Sequence, residues 1–239
     1  MKIEGQRVLI TGAGRGLGRA LTLAFIEAGA GRVFAGVRQA VEFAEVDNER
    51  VTPIALDVTR DDQVSATREL GAIDILINNA GIAGYGNPVS MSFEDVRREM
   101  EVNYFGALRM ARALAPAMAK RRQGMIVNIA TAFAKINLPL VGTYCASKAA
   151  LLSLGQALRA YLKEHGVHVM TVMPTTIDTD MSRGADVPKM TAEFVANEIL
   201  RHIRAESVDP PIGAEAEGIM EGLRTNAAEL ERMLSQIKA

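Results

Sequence analysis

The segment Thr143–Lys148, TYCASK, holds a phenol and an ammonium group four residues apart, at Tyr144 and Lys148. A long apolar run follows, so the pair is predicted to lie on a helix, where residues four positions apart share one face. A lysine cation close to a tyrosine hydroxyl favours the phenolate and lowers the tyrosine pKa from its ordinary value of about 10. Such a tyrosine can donate or accept a proton near neutral pH. A surface tyrosine and lysine on an amphipathic helix have the same spacing, so the pair alone identifies no function.

The elements that would position this pair are short β-rich runs that alternate with longer helical patterns. The runs are RVLIT, RVFAGV, VTPIALDV, IDILINNA, MIVNIA and VHVMTVMP. The alternation predicts an α/β fold, a Rossmann-like doubly wound parallel sheet with helices on both faces. Ligands bind such sheets beyond the carboxyl ends of the strands, where reactive residues are therefore expected. The chain of 239 residues shows no linker or repeat, so a single dinucleotide-binding catalytic domain is predicted over 1–239.

Three segments depart from the regular alternation. Residues 175–192 are rich in Thr, Asp, Gly and Pro, which predicts a mobile flap over a substrate pocket. Residues 226–238 have apolar residues at helical spacing, which predicts a C-terminal helical tail packed on the core or on a partner subunit. Residues 38–50 are short for a crossover, so any helix there is expected to be brief.

Composition excludes several classes of partner. The formal net charge of -1 gives no field for nucleic acid or an acidic membrane surface, and no uncharged apolar stretch reaches transmembrane length. The single cysteine, Cys145, excludes an internal disulfide, and the N-terminus has no signal-peptide pattern, so a cytoplasmic protein is expected. His165, His168 and His202 are scattered, and no metal site is predicted.

A glycine-rich loop, TGAGRGLG, follows the first strand and leads into a helical pattern. Its glycines are Gly12, Gly14, Gly16 and Gly18. This order of elements places free backbone N–H groups at a helix N-terminus, where they can bind a pyrophosphate, and glycine lets the backbone approach the ligand closely. The spacing differs from the common G-x-G-x-x-G fingerprint because Leu17 takes the place of its last glycine.

The charge near this loop favours NADP(H) over NAD(H). In dinucleotide folds an acidic residue about 20 positions further on binds the ribose 2′-hydroxyl of NAD, whereas an arginine accommodates the 2′-phosphate of NADP. The second strand ends at Val37 and is followed by Arg38, with no carboxylate. Arg15 offers a second guanidinium, and two planar cations around one phosphate give charge-assisted hydrogen bonds. Both arginines would be equally ordinary as solvated surface residues.

Taken together, these motifs resemble the short-chain dehydrogenase/reductase family over nearly the whole chain. TGAGRGLG is similar to the family's TGxxxGxG, Asn78–Gly81 to its NNAG, and YCASK to its YxxxK. Asn103 corresponds to the asparagine of the family's catalytic tetrad, and Asp57 to its adenine-contacting aspartate. Four such motifs in the correct order are a strong signal, although each is weak alone.

Two positions depart from the family pattern. The family's active-site serine is replaced by Thr131, thirteen residues before the tyrosine, which keeps the hydroxyl but adds a methyl group that stiffens χ1. The family's Pro-Gly after the sixth strand is Pro174-Thr175, and the lost glycine restricts backbone torsions near the nicotinamide. The resemblance therefore implies retained activity, with a narrower or shifted substrate pocket.

The resemblance implies hydride transfer between nicotinamide and a carbonyl or secondary alcohol. Tyr144 would be the general acid or base, Lys148 would lower its pKa and hold the nicotinamide ribose, and Thr131 would hydrogen-bond the substrate oxygen. Asn103 would orient a water chain from Lys148 to solvent. Because cellular NADP(H) pools favour reduction, a carbonyl reductase is expected. The alternative is a cofactor-sensing protein without chemistry, which Thr131 and Thr175 suggest.

The resemblance also implies a set of cofactor contacts, a pocket and an assembly. The implied cofactor-binding residues are Gly12, Gly14, Arg15, Gly16, Leu17, Gly18, Arg38, Asp57, Val58, Asn79, Ala80, Gly81, Tyr144, Lys148, Pro174, Thr175, Ile177 and Thr179. The flap and residues 83–88 would enclose the substrate, and Met181 and Met190 suggest that part of it is apolar. The long helical stretches 96–120 and 144–164 look like those that build interfaces in this family, so a homodimer or homotetramer is expected.

Overall fold

The computed structural model describes residues 1–39 and 48–237. The strands are β1 Arg7–Thr11, β2 Arg32–Val37, β3 Val51–Ala55, β4 Ile75–Asn78, β5 Gly124–Ile129, β6 Val167–Pro174 and β7 Pro211–Ile212. The helices are α1 Gly16–Glu27, α2 Asp61–Ala66, α3 Phe93–Met100, α4 Ala107–Arg121, α5 Gly142–Leu162, α6 Ala192–Arg204 and α7 Ala214–Leu234. In the described residues the strands form one parallel sheet in the order β3-β2-β1-β4-β5-β6-β7. This sheet confirms the predicted doubly wound α/β fold.

Each central strand contributes to two hydrophobic cores because successive side chains point to opposite faces of a sheet. In β1, Val8 and Ile10 pack in the core that α1 and α6 cover, whereas Leu9 packs in the core beneath α2, α4 and the C-terminal end of α5. The same alternation recurs in β4 and β5. Strands buried on both faces have no solvent-facing positions for polar residues, which is why they appear in the sequence as continuous apolar runs.

The order of the strands reverses at β1, which lies between β2 and β4. The connections leaving β1 and β4 therefore run to opposite sides, and a crevice opens beyond their carboxyl ends. Thr11, the last residue of β1, is in register with Gly36 of β2, and Asn78 of β4 is in register with Asn128 of β5. The Asn78 Nδ2 donates to the Asn128 Oδ1 at 2.9 Å, which joins β4 to β5 at the carboxyl ends of these strands.

Some element boundaries differ from the sequence-based expectation. The helical stretch expected over 96–120 is three consecutive segments, α3, a π-helical turn Glu101–Gly106 and α4. The C-terminal helix begins at Ala214, before the expected 226–238 tail, and its backbone leaves helical geometry at Asn226. Most of the segment expected to hold a brief helix, 40–47, lies outside the described residues, as does Lys238.

Neither a membrane span nor a metal site is found in the part of the chain that the structure describes. No helix within 1–39 and 48–237 is long and apolar enough to cross a bilayer. Within the same residues, no three His, Cys, Asp or Glu side chains come together as potential metal ligands.

Candidate active site

The turn after β1 lies against the loop after β4 so closely that side chains are excluded from it. An ideal Cβ on Gly12, whose φ is +65°, would lie 2.9 Å from the Ala80 Cα. An ideal Cβ on Gly18 would collide with the Gly12 carbonyl oxygen and lie 2.7 Å from the Asn79 Nδ2. Glycine is therefore required at both positions, and both glycines also border a cavity.

The start of α1 is suited to bind an anion. The helix begins at Gly16, after Arg15 as N-cap, and no acidic residue lies in its first turn. The N–H groups of a first helical turn have no intrahelical acceptor and carry the positive end of the helix dipole. These groups border the same cavity as the guanidinium-bearing residues Arg15 and Arg38. The loop therefore fits the pyrophosphate of a dinucleotide.

Arg15 has a partner that the sequence did not predict. Its Nη1 lies 3.4 Å from the Asp180 Oδ2 on the flap, and Asp180 also pairs with Arg183. Gly16, next in the chain, is in close contact with the flap, since an ideal Cβ there would lie 2.9 Å from the Thr179 Cγ2. The glycine loop and the flap are thus in direct contact, and Arg15 is paired with an acidic side chain of the flap.

Two residues of the predicted cofactor set have their side chains engaged in holding the site together. The Asn79 Nδ2 donates to the Thr11 carbonyl at 2.9 Å and to the Gly12 carbonyl at 3.0 Å. The Asp57 Oδ1 accepts from the Thr59 N–H at 2.9 Å and from its hydroxyl at 2.7 Å. Asn79 therefore fixes the glycine loop, and Asp57 orders the turn after β3.

Lys148 lies almost entirely inside the protein, at 4% exposure. Its Nζ donates to the Ile129 carbonyl at 2.7 Å, and an ideal Cβ on Gly81 would lie 3.2 Å from it. Burial lowers the pKa of Lys148 to about 8, because removing an ammonium group from water disfavours its charged form. Lys148 is thus held at the junction of β5 and the loop after β4, where it borders the cavity.

Tyr144 differs from the sequence-based expectation in the direction of its pKa. Burial is the main cause that raises the pKa of Tyr144, and the nearby Cys145, Tyr85 and Glu99 groups raise it further. The prediction that Lys148 lowers this pKa is therefore wrong for this arrangement. The Lys148 Nζ lies 5.8 Å from the centroid of the tyrosine ring and is directed at a carbonyl instead. The phenol is consequently protonated at neutral pH.

Thr131 lies at the end of β5, where the backbone leaves the strand for a short helical turn, Ala132–Ala134. It is 4% exposed, and its Oγ1 accepts a hydrogen bond from the Phe133 N–H at 3.3 Å. This contact uses a lone pair of the oxygen, so the hydroxyl hydrogen can be donated to a ligand in the cavity that Thr131 borders.

Asn103 is the one residue of the predicted catalytic and cofactor-binding sets that does not border the cavity, and Met190, predicted at the substrate pocket, does not border it either. It lies in the π-helical turn, and its Nδ2 donates to the Ile82 carbonyl at 2.9 Å and to the Ser147 Oγ at 2.8 Å. Its Oδ1 accepts from the Ile82 N–H at 2.9 Å. Both amide N–H groups are thus donated to protein, and Asn103 joins the loop after β4 to α5. That Asn103 orients a water chain stays a prediction.

The predicted flap is anchored at its base. The Asp178 N–H donates to the Met190 carbonyl at 2.8 Å, and the Met190 N–H to the Thr176 carbonyl at 3.0 Å. Thr175, which stands where a glycine was expected, is not strained. Among the described residues outside glycine, positive φ occurs only at Arg122 and Glu206. The threonine is therefore compatible with the backbone at this point.

One cavity of about 1230 Å³ connects these features. The predicted residues that line it are Gly12, Gly14, Arg15, Gly16, Leu17, Gly18, Arg38, Asp57, Val58, Asn79, Ala80, Gly81, Thr131, Tyr144, Lys148, Pro174, Thr175, Ile177 and Thr179. This volume exceeds that of an ordinary drug-sized pocket, so it can accept a dinucleotide together with a small substrate. The flap and the loop after β4 meet at its mouth, where the Tyr85 hydroxyl donates to the Met181 carbonyl at 2.9 Å.

Three residues that matter for this site had no role in the sequence-based prediction. Ser147 lies inside YCASK and links Asn103 to the Tyr144 carbonyl, to which its hydroxyl donates at 2.7 Å. Glu99, 1% exposed, accepts from the Gly84 N–H at 2.6 Å and so supports the loop after β4. Ile237 borders the cavity from the C-terminal segment. Ser147 lies three residues after Tyr144, on the same face of the helix, and this spacing could have indicated its role. Nothing in the sequence indicated a role for Glu99 or Ile237.

Comparison with known proteins agrees with this geometry. A family model described as short chain dehydrogenase matches residues 6–188. The chain belongs to the short-chain dehydrogenase family. Its fold and its nicotinamide cofactor follow from this membership, as does oxidoreductase activity on small molecules.

Several short-chain dehydrogenases are similar over most of this chain. A sorbitol dehydrogenase of Cereibacter sphaeroides is 38% identical over 198 residues, which are 78% of this chain and 76% of that protein. A short-chain dehydrogenase from Burkholderia cenocepacia J2315, solved in complex with NADP, is 38% identical to this chain. The two structures superpose with a TM-score of 0.93, and the match spans 98% of this chain and 99% of the other. A 3-oxoacyl-[acyl-carrier protein] reductase from Brucella melitensis, solved with bound NAD, is 29% identical with a TM-score of 0.79 over 88% of this chain and 91% of its own.

Proposed function

We propose that this short-chain dehydrogenase is an NADP(H)-dependent enzyme that interconverts a carbonyl compound and a secondary alcohol, and that it acts mainly as a carbonyl reductase. The observation that carries the proposal is the convergence of Tyr144, Lys148 and Thr131 on the cavity that also contains the glycine loop. Bound nicotinamide supplies the hydride in reduction and accepts it in the reverse direction. Positioning, the proton and electrostatic stabilisation come from the protein.

Each of the three side chains has a role that its surroundings support. Thr131 donates its hydroxyl hydrogen to the substrate oxygen and stabilises the negative charge that develops there. Tyr144, whose pKa is raised by burial, carries its proton at neutral pH and donates it to the same oxygen. Lys148 uses one N–H for the Ile129 carbonyl and has others for hydroxyl groups of the ribose. A protonated phenol suits reduction better than alcohol oxidation.

Two observations favour NADP(H) over NAD(H). Arg15 and Arg38 border the cavity at the end that contains the glycine loop, and either guanidinium can bind a 2′-phosphate through charge-assisted hydrogen bonds. The similar structure from Burkholderia cenocepacia was solved with NADP, although the Brucella melitensis reductase was solved with NAD. The cofactor of this chain is therefore proposed from its arginines, with the first neighbour as support.

Replacing Tyr144 with Phe tests the proposed acid. Turnover of NADPH with a responsive carbonyl substrate should fall by about 10²- to 10⁴-fold, which is the usual contribution of general acid catalysis. Binding of NADPH, measured by fluorescence titration, should remain largely intact because the ring is kept. Tyr161→Phe is the matched control, since Tyr161 is 73% exposed and should leave turnover unchanged.

The outcomes of this experiment separate the proposal from its alternative. Unchanged turnover in Tyr144→Phe would remove Tyr144 from the mechanism. Tight NADPH binding by the wild-type protein, without turnover of any member of a broad carbonyl and alcohol panel, would favour a cofactor-sensing protein. The panel is run with both cofactors and followed at the nicotinamide absorbance.

A further inference from the structure

The C-terminal helix α7 is interrupted at a single residue that both ends one helical segment and starts the next. Asn226 has φ -155° and ψ 80°, well outside helical geometry. Its Oδ1 accepts a hydrogen bond from the Glu229 N–H at 3.1 Å, which is the contact of an N-cap side chain. The chain therefore changes direction at Asn226, and residues 227–237 form a segment of their own.

This C-terminal segment folds back on the first part of α7. Leu230 packs against Gly222, where an ideal Cβ would lie 3.1 Å from the Leu230 Cδ2. In a straight helix, residues eight positions apart are separated by about 12 Å along the axis. Contact between them requires the turn at Asn226. The absence of a side chain on Gly222 leaves the surface on which Leu230 is seated.

The segment covers the substrate end of the cavity rather than the cofactor end. Leu223 and Leu230 belong to a hydrophobic cluster that contains Phe133, two residues beyond Thr131, and the Tyr144 ring. Leu138 and Val141 belong to the same cluster. This cluster contains the proposed acid and lies next in the chain to Thr131, and no residue of the glycine loop belongs to it.

Ile237 is the residue through which the segment reaches the cavity. Its side chain is 41% exposed and borders the space that Tyr144 and Thr131 also border. The cluster residues Phe133, Leu138 and Val141 border the same space. With the carbonyl oxygen held by the two hydroxyl groups, the remainder of a substrate has apolar side chains around it.

We propose that the C-terminal segment 227–237 is a wall of the substrate subsite and that Ile237 selects carbonyl compounds carrying an extended apolar group. The inference rests on the proposed function, because it assigns a substrate class to the same site. A small carbonyl compound would be held by Tyr144 and Thr131 alone. One with an aryl or long alkyl group would also bury that group against Ile237.

The test compares acetone with benzylacetone, which carries the same carbonyl group on a longer apolar chain. In Ile237→Asp the ratio of kcat/KM for benzylacetone to that for acetone should fall by about tenfold or more, the range for loss of a few apolar groups from a pocket. Leu230→Ala, which weakens the seat of the segment on Gly222, should lower the ratio in the same direction. Met233→Asp is the matched control, because Met233 is 56% exposed on the same segment and does not border the cavity.

A binding measurement keeps this inference distinguishable from the proposed function. Benzylacetone is titrated calorimetrically into the NADP⁺ complex of each variant, because oxidised nicotinamide has no hydride to transfer to a ketone. Its affinity should fall about tenfold in Ile237→Asp and stay unchanged in Met233→Asp. If the wild-type protein binds benzylacetone through Ile237 but does not reduce it, the proposed reductase activity is contradicted and the role of segment 227–237 in the substrate subsite is supported. If all three proteins, wild type, Ile237→Asp and Leu230→Ala, reduce the ketones with the same ratio of kcat/KM for benzylacetone to acetone, the role of segment 227–237 is contradicted and the reductase activity is supported.

Discussion

The ammonium group of Lys148 is enclosed by protein, and its protonation state is therefore sensitive to pH in an unusual range. Burial lowers its pKa to about 8, whereas a solvated lysine keeps its proton up to about pH 10. The hydrogen bond to the Ile129 carbonyl is made by either form, but only the charged form places a positive charge at the cavity, where we expect it to support the negative charge that develops on the reacting oxygen. The rate of carbonyl reduction should therefore depend on the fraction of Lys148 that is protonated.

The pH dependence of reduction tests this role. As pH rises through about 8, Lys148 loses its proton, and kcat/KM for carbonyl reduction should fall while values at lower pH stay level. Lys148→Arg provides the control, since a guanidinium remains charged throughout this range. The variant should be slower but should not show the fall near pH 8. The same fall in both proteins would assign it to another group.

The YxxxK spacing predicted which side chains meet at the site but not how they affect each other. Helical periodicity correctly placed Tyr144 and Lys148 at one cavity. It could not show that Lys148 is directed at the Ile129 carbonyl, because this bond depends on β5, nineteen residues earlier in the chain. The sign of the Tyr144 pKa shift depends on burial, which is a property of the packed structure. Spacing therefore gives proximity, and tertiary contacts give the pKa.

At the scale of elements, we expect the cofactor preference to depend on Arg38, the residue that follows the carboxyl end of β2. Replacing Arg38 with Asp should remove a partner of the 2′-phosphate and supply an acceptor for a ribose hydroxyl. The ratio of kcat/KM for NADPH to that for NADH should fall by about ten- to a hundredfold, as expected for a charged hydrogen bond of about 1.5–3 kcal/mol. Arg32→Asp, at the other end of β2, should leave the ratio unchanged.

Equal cofactor ratios in wild type and Arg38→Asp would remove Arg38 from cofactor choice. Arg15 would then be the remaining candidate among the predicted cations. Its ion pair with Asp180 links the glycine loop to the flap, so a phosphate bound there would compete with the flap for the same guanidinium. The Arg15 side chain is 74% exposed and that of Asp180 43%, so the ion pair is weak and a phosphate can displace Asp180 from it.

Six of the seven described strands were predicted from the sequence as β-rich apolar runs. Five of them are mostly buried, whereas β3, at the edge of the sheet, has only half-buried and exposed residues. The seventh, Pro211–Ile212, has two residues and pairs only with the end of β6, so no periodicity could reveal it. The π-helical turn Glu101–Gly106 keeps a helical pattern and was not distinguishable from α-helix. Glu99 had no role in the sequence-based prediction, yet it is buried against the loop after β4. Elements defined by long-range contacts were missed, and those defined by local pattern were predicted.

At the scale of the whole molecule, the outer surface of the helices α3 to α5 leaves large apolar side chains in water. Phe93 is 78% exposed, Phe105 42% and Tyr161 73%. Isolated exposed apolar residues are ordinary, but several on one set of neighbouring helices are typical of an interaction surface. These are also the helices that the family resemblance associates with subunit contacts. We therefore expect a homodimer or homotetramer in which this surface is covered.

Sedimentation equilibrium at micromolar concentration tests this assembly, and a stable monomer would refute it. Phe105→Glu should raise the dissociation constant at least about tenfold, or about 1.4 kcal/mol, because the interface would have to bury an unpaired carboxylate. Leu23→Glu is the matched control, since Leu23 is also 42% exposed but lies on α1, which covers the opposite face of the sheet. Equal weakening by both variants would indicate a general effect of added charge, and weakening by Leu23→Glu alone would place the contact on the other face.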